Sequence, residues 1–236
     1  MSTLTAQAIK KFIPPDYLPE SDGEPMAETD VHRKQMIGLL DALDDYFRSA
    51  PNVYVTGNIF LYPTREMEET RTPVSPDIFV VKGVAKAERR VYDMEKEEKG
   101  PDLVIELTSR HTATEDLGNK RVIYARLGVR EYFVFDPLQE TSSISLRGFR
   151  LEAGEYVPMV GARLHSQVLG MDLVVEHGQL RLYDSKTGMR LLNHQESEAA
   201  RRAAEAKAAK EADARQQAEA EIARLRAELA RLQKSK

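Results

Sequence analysis

The chain of 236 residues is 42% hydrophobic and carries 38 acidic against 34 basic side chains. That is enough apolar content for a substantial core, and the net charge of −4 excludes a globally basic binder of nucleic acid or membrane surfaces. The absence of cysteine excludes disulfides and thiolate-bound zinc and accords with a reducing compartment, and no stretch approaches the ~20 apolar residues of a membrane span or forms a signal-peptide core, so the sequence reads as soluble and cytoplasmic, with no membrane partner.

Residues 1–25 contain Pro14, Pro15, Pro19 and Pro25 and predict an extended entry segment rather than a helix. Over residues 28–48, His32, Met36, Leu40, Leu43 and Phe47 recur at helical spacing and predict one apolar face. "NVYVTGNIFLYP" predicts two short strands or one bent strand, with Val53, Val55, Ile59 and Leu61 inward, and "SPDIFVVKG" predicts the next, bounded by Pro76 and Gly83. The charged residues 86–99 read as a loop or hairpin tip rather than core. "PDLVIELTS" reads as a strand buried on both faces, interrupted by the carboxylate of Glu106.

A helix is expected over residues 113–127, with Thr112 and Glu115 in capping-box spacing and Gly128 placed to stop it. "REYFVFDP" predicts a strand ended by Asp136 and Pro137, and residues 141–192 alternate short strands with turns, predicting antiparallel hairpins packed beside the main sheet. At about Glu196 the composition shifts: from there on, Gly, Pro and aromatic residues are absent and alanine is abundant. This tail holds ten basic and eight acidic side chains, which leaves −6 on the rest. Ile222, Leu225, Leu229 and Leu232 step by three, four and three, as a coiled-coil seam does. A solvated single helix is the alternative, but long lone helices draw most of their stability from packing, so self-association into a homodimer or higher homo-oligomer is the favoured expectation.

Burying Glu106 costs several kcal/mol, in order of magnitude, unless a cation, hydrogen bonds or a metal compensates it. Asp102 shares its strand face but lies ~13 Å along the strand at ~3.3 Å per residue, and suits a turn at the strand entry. If residues 77–81 pair antiparallel with residues 102–106, Asp77 falls opposite Glu106 and Phe79 opposite Val104, with directly opposed Cβ atoms ~5 Å apart. Two carboxylates so placed repel unless a cation sits between them. Lys120 falls on the stripe of Ala113, Leu117, Tyr124 and Leu127, where an apolar residue is expected. It is either a snorkelling side chain held by Asp116 or a desolvated ammonium beside a metal-bound dicarboxylate. The second arrangement is what phosphodiester hydrolysis requires.

"SPDIFVVKG", "GPDLVIELTSRHTATEDLGNKRVIYARLGVREYFVFDP" and "MAETDVHRKQM" resemble the Uma2 family of endonucleases, also called DUF820, within the PD-(D/E)XK nuclease superfamily. The resemblance covers residues 25–195, roughly. It implies an α/β fold with a restriction-endonuclease-like mixed sheet flanked by helices, additional β-hairpins and a C-terminal coiled-coil helix. It carries over Asp77 as the motif aspartate, Glu106 as the acidic residue of the next strand and Lys120 as the lysine, with Mg2+ or Mn2+ held by Asp77 and Glu106 and DNA as the partner. Thr108 stands where the superfamily usually has its lysine, so the lysine has migrated to the helix. Glu28 could be an auxiliary metal or water ligand, or a solvated first-turn acid favoured by the helix dipole. His32 reads as a hydrogen-bonded histidine at the core edge, and Ser109, Arg110 and His111 could touch phosphate or simply start the helix. The expected organisation is an extended segment at residues 1–25, a nuclease-like domain at 26–195 and a helix at 196–236. Two functions follow: a metal-dependent DNA endonuclease, which the trio Asp77, Glu106 and Lys120 favours, or a catalytically degenerate nucleic-acid-binding or assembly module that uses the coiled coil; the acidic body counts against tight duplex binding, which relies on Lys and Arg.

Overall fold

A computed structural model describes residues 18–21, 29–110 and 112–234, so Glu28, His111 and most of the N-terminal segment lie outside the described residues. The chain divides into two units, Met1–Arg190 and Leu191–Lys236.

The first unit begins with α1 (Asp30–Tyr46). Thr29 caps it by accepting a hydrogen bond from the His32 N–H at 3.2 Å, and Met36, Leu39, Ala42 and Leu43 form its buried face, Leu39 taking the central place expected for Leu40. The next region gives two strands, β1 (Val53–Thr56) and β2 (Leu61–Tyr62), followed by β3 (Ile78–Lys82). In β1 it is Tyr54, not Val55, that enters the core, because its ring meets Phe79 edge-on and Tyr92 face to face at 6.4 and 6.0 Å between centroids.

Residues 86–99 correct the expectation of a loop. They supply β4 (Tyr92–Asp93), paired parallel with β2, and the short α2 (Met94–Glu97), and Tyr92 and Met94 are buried in the core. Charge did not keep this stretch at the surface because the buried Asp93 is paired with the equally buried Arg71, whose Nε also donates to the Pro63 carbonyl at 2.8 Å and whose Nη1 lies 3.0 Å from Glu95.

The main sheet continues with β5 (Leu103–Leu107), β6 (Glu131–Phe135), β7 (Leu146–Glu152) and β8 (Glu155–Pro158), in the spatial order β1-β3-β5-β6-β7-β8. Its one parallel pair among these strands, β5 with β6, requires a crossover, supplied by a π-turn at Glu115–Asn119 and α3 (Lys120–Arg126). Both faces of β5 are buried, as its apolar run predicts. On the side of α3, Val104, Val134 and Tyr132 pack with Tyr124, Phe149 and Tyr156.

The β7–β8 hairpin extends the main sheet rather than packing beside it, whereas β9 (Arg163–Ser166), β10 (Met171–Glu176) and β11 (Gln179–Asp184) form a sheet of their own. Buried Glu131 of β6 ties the two together, accepting from the Ser166 hydroxyl at 2.5 Å and the Gln167 N–H at 2.8 Å. From α1, the Gln35 amide meets both the carbonyl and the N–H of Leu180 at 3.2 Å and so covers part of the β11 backbone.

The second unit is α4 (His194–Lys234), a helix of 41 residues opened by reciprocal hydrogen bonds between Asn193 and Glu196, at 2.9 and 3.1 Å. That is capping-box geometry with Asn as the cap. Pairs such as Arg201–Glu205 and Arg215–Glu219 lace its surface, and Ile222 and Leu225 are about half exposed, at 49% and 50%. Among the described residues no helix is long and apolar enough to cross a membrane.

Candidate active site

Antiparallel pairing of β3 with β5 aligns Ile78 with Ile105 and Phe79 with Val104, the register expected from the sequence. Extending it by one residue sets Asp77 opposite Glu106, where side chains continue the ladder. The Asp77 N–H donates to Glu106 Oε2 at 3.3 Å, and the Leu107 N–H donates to Asp77 Oδ2 at 2.6 Å. The two acids are therefore locked to each other's strands.

Gly57 makes this fit possible. A Cβ at that position would sit 1.9 Å from the Asp77 carbonyl oxygen, so only glycine lets the β1–β2 connection pass behind the aspartate, where the Asn58 N–H also bonds the Pro76 carbonyl at 2.8 Å. His32 reaches the same carboxylate from α1, its Nε2 lying 3.3 Å from Asp77 Oδ2.

Glu106 is only 1% exposed. Its Oε1 accepts from the Tyr124 hydroxyl at 2.5 Å and lies 3.1 Å from the Lys120 ammonium. Lys120 thus points from its helix at the carboxylate pair, as one of its two sequence readings required. It also lies 3.0 Å from Asp116 Oδ1, the partner named in the other reading, but both groups are largely buried and the lysine does not snorkel to solvent.

The start of this helix differs from expectation. Thr112 Oγ1 accepts from the Ser109 N–H at 3.1 Å, so it does not form a capping box with Glu115. The π-turn follows: the Tyr132 hydroxyl takes the Asp116 carbonyl at 2.7 Å, and the Lys120 N–H reaches past it to the Glu115 carbonyl. Of the weaker phosphate candidates, Ser109 is partly buried just after β5 and Arg110 is exposed. Asp102 serves structure, accepting from the Lys82 N–H at 2.6 Å and from Arg130 at 2.8 Å.

Burial pushes the Glu106 carboxyl well above its ordinary value, against the pull of the Lys120 ammonium, and the charges of Asp77 and Asp116 push it further. Burial alone would lower Lys120, but the Glu106 and Asp116 carboxylates outweigh it, raise the ammonium above its ordinary value and keep it charged. Asp77 is lowered: desolvation opposes ionisation, and the hydrogen bonds from His32 and Leu107 overcome it.

Counted as ionised groups, Asp77, Glu106 and Asp116 face one lysine ammonium. Full ionisation of Glu106, against the desolvation that raises its carboxyl, would call for a cation beyond the Lys120 ammonium and the His32 beside Asp77, and hard carboxylate oxygens suit Mg2+ or Mn2+. Among the described residues, hydrogen bonds engage only Oδ2 of Asp77, which leaves Oδ1 available as a ligand. No cluster of three or more His, Asp or Glu ligands occurs among the described residues, so a divalent ion at this site would have at most a pair of acids such as Asp77 and Glu106 to hold it. That suffices for Mg2+, which retains several waters and is commonly bound through one or two carboxylates plus substrate phosphate.

Sequence reasoning brought Asp77, Glu106 and Lys120 together. It gave Asp116 and Tyr124 no site role and passed over Gly57. The lysine-spaced Asp116 and the stripe position of Tyr124 were signals for the first two, while the close approach at Gly57 has no local signature.

A sequence model of the Uma2 family, described as "Putative restriction endonuclease", matches residues 17–180. No curated protein matches the chain. Among solved structures, the chain is similar to one described as "a putative nuclease belonging to DUF820 from Anabaena variabilis ATCC 29413", with 14% sequence identity and a TM-score of 0.45, over 73% of this chain and 90% of that one.

Proposed function

Since this chain belongs to the Uma2 family, we propose that it is a metal-dependent endonuclease hydrolysing DNA phosphodiester bonds, with Asp77 and Glu106 holding Mg2+ or Mn2+ and Lys120 acting on the scissile phosphate. The observation that carries this reading is the convergence of Asp77, Glu106 and Lys120, with the Asp77 and Glu106 carboxylates on adjacent strands and the ammonium 3.1 Å from Glu106.

A divalent ion bound there neutralises the phosphate and lowers the pKa of a bound water. The chain's own groups do the rest. The β3–β5 register fixes both acids before substrate arrives, so little reorganisation is needed. Tyr124 holds Glu106 in one rotamer from its buried hydroxyl. His32 and the Leu107 N–H hold Asp77 ionised with Oδ2 committed and Oδ1 left for a ligand. Lys120, kept protonated, donates to a non-bridging oxygen as a water oxygen bonds to phosphorus, losing its proton to solvent, negative charge builds on the phosphoryl oxygens, and the bond to the leaving oxygen breaks.

Purified protein incubated with supercoiled plasmid should nick or linearise it with Mg2+ or Mn2+ and leave it intact in EDTA. Mn2+ bound by the unmodified chain, followed by electron paramagnetic resonance, should be lost in Asp77→Asn and Glu106→Gln. Metal-independent persistence of intact plasmid together with no Mn2+ binding would replace this reading with the degenerate binding or assembly module.

The nuclease domain is assigned to residues 26–195 and the tail to residues 196–236, of a protein working in the cytoplasm. The half-exposed Ile222 and Leu225 support pairing of α4 with a second copy, since packing them removes apolar surface at roughly 25 cal/mol per Å². Light scattering should give a dimer or larger for the full chain and a monomer for a chain ending at Gln195. A monomeric full chain would remove the coiled coil from the proposal.

A further inference from the structure

Asp116 is 1% exposed, a carboxylate withdrawn from water without an apolar reason to be there. Its Oδ1 is buried and, among the described residues, meets no donor except the Lys120 ammonium, 3.0 Å away. Its main chain is fixed on both sides: the N–H donates to the Thr112 carbonyl at 2.9 Å, and the carbonyl accepts from the Tyr132 hydroxyl at 2.7 Å. A rigid acid with a single cationic partner is a tether.

The partner needs one. Lysine is a point charge on a flexible four-carbon stem, and the second anchor of Lys120, Glu106 Oε1, is shared with the Tyr124 hydroxyl. On the metal-binding reading above, Glu106 is also the carboxylate that a divalent ion claims, and that ion repels the ammonium. Asp116 stands one turn away on the lysine's own helix and is not among those ligands.

We propose that Asp116 is a positioning residue that retains the Lys120 ammonium at the site when Glu106 is occupied by a divalent cation. This rests on the metal-dependent reading for its purpose, but the contact itself is independent of it. An ordinary helix-surface pair at this spacing would also join the two residues, yet such pairs are solvated and weak. What distinguishes the tether is that losing it frees the lysine without unfolding the helix.

The test uses the full chain labelled with 15N at lysine and 13C at aspartate. In the unmodified protein the Lys120 ammonium, assigned by its disappearance in Lys120→Met, should give a slowly exchanging cross-peak, with a coupling across the hydrogen bond to the Asp116 carboxylate carbon. Both should survive saturation with Mg2+. In Asp116→Asn the cross-peak should be lost on adding Mg2+, and Asp116→Glu should restore it in part. Plasmid cleavage by Asp116→Asn should fall about 10–100-fold in kcat with KM for DNA unchanged, and the same substitution should cost nothing further in a Lys120→Met background.

An undiminished Lys120 cross-peak in Mg2+-loaded Asp116→Asn, or losses that add in the double variant, would overturn the tether. Should Asp116→Asn not fold, the coupling in the unmodified chain decides: present with Mg2+ it supports the tether, absent it ends it. If the unmodified chain cuts no DNA, the nuclease reading fails, while the cross-peak still decides the role of Asp116.

Discussion

Lys120→Met should reduce plasmid cleavage by about 10²–10³-fold in kcat, the usual loss when one preorganised donor to a developing oxyanion is removed. The same substitution should leave Mn2+ binding intact or make it tighter. The reason is electrostatic: Lys120 lies 3.1 Å from Glu106 and 3.0 Å from Asp116, and removing its charge leaves Asp77, Glu106 and Asp116 without a lysine to offset them. A merely damaged site would lose metal and activity together, so opposite movements of the two readouts are diagnostic.

The metal-free variant should also respond to pH. The Glu106 carboxyl is already raised above its ordinary 4.5 by burial, and without the ammonium it rises further. A carboxyl whose folded pKa exceeds its unfolded value takes up a proton on folding. Stability is then fully present below pH 4.5 or so and falls as pH climbs through the raised value. Thermal melts of Lys120→Met in EDTA should accordingly decline from acid towards neutral pH more steeply than those of the unmodified chain, and added Mn2+ should reverse the decline. Equal slopes would show that Lys120 does not compensate Glu106.

Arg71→Met should cost about 3–5 kcal/mol, the usual loss when a buried ion pair is broken from one side. At roughly 2–4 °C per kcal/mol for a chain of this size, the melting temperature should fall by about 10 °C. Arg71 and Asp93 each have side chains 8% exposed, and the guanidinium alone joins Pro63, Asp93 and Glu95. Without it Asp93 is a buried anion at the start of α2, next to the core residues Tyr92 and Met94. Adding Asp93→Asn to Arg71→Met should recover part of the loss, since the stranded charge goes with it. A fall below 1 kcal/mol or so would mean that water reaches Asp93.

These two sites show what the sequence makes legible. Alternation along "PDLVIEL" and "SPDIFVVKG" placed Phe79 against Val104 and Asp77 beside Glu106, because a strand's register follows from which residues must be inward. The misplaced lysine on the α3 stripe was visible for the same reason. Residues 86–99 were misread because Asp93 and Glu95 are matched by Arg71, a partner that local composition does not reveal. The π-turn depends on the Tyr132 hydroxyl arriving from β6, 16 positions away, and no propensity within residues 112–127 encodes it. Gly57 drew no reading at all, since what forbids a side chain there is the Asp77 carbonyl, 20 residues on.

The locking of Asp77 and Glu106 to each other's strands bears on the order in which the candidate site is assembled. His32 and Asp77 are 45 positions apart and Asp77 and Glu106 are about 29, while Lys120 arrives only with the crossover helix that β6 holds in place through Tyr132. Contacts so distant in sequence close late, after loop entropy has been overcome. A chain emerging from the ribosome as far as Ser109 holds both acids but neither Lys120 nor the β6 strand that flanks Glu106. On the proposed nuclease reading, such a partial chain lacks the site's lysine, and the site is complete only once β6 and the crossover are in place.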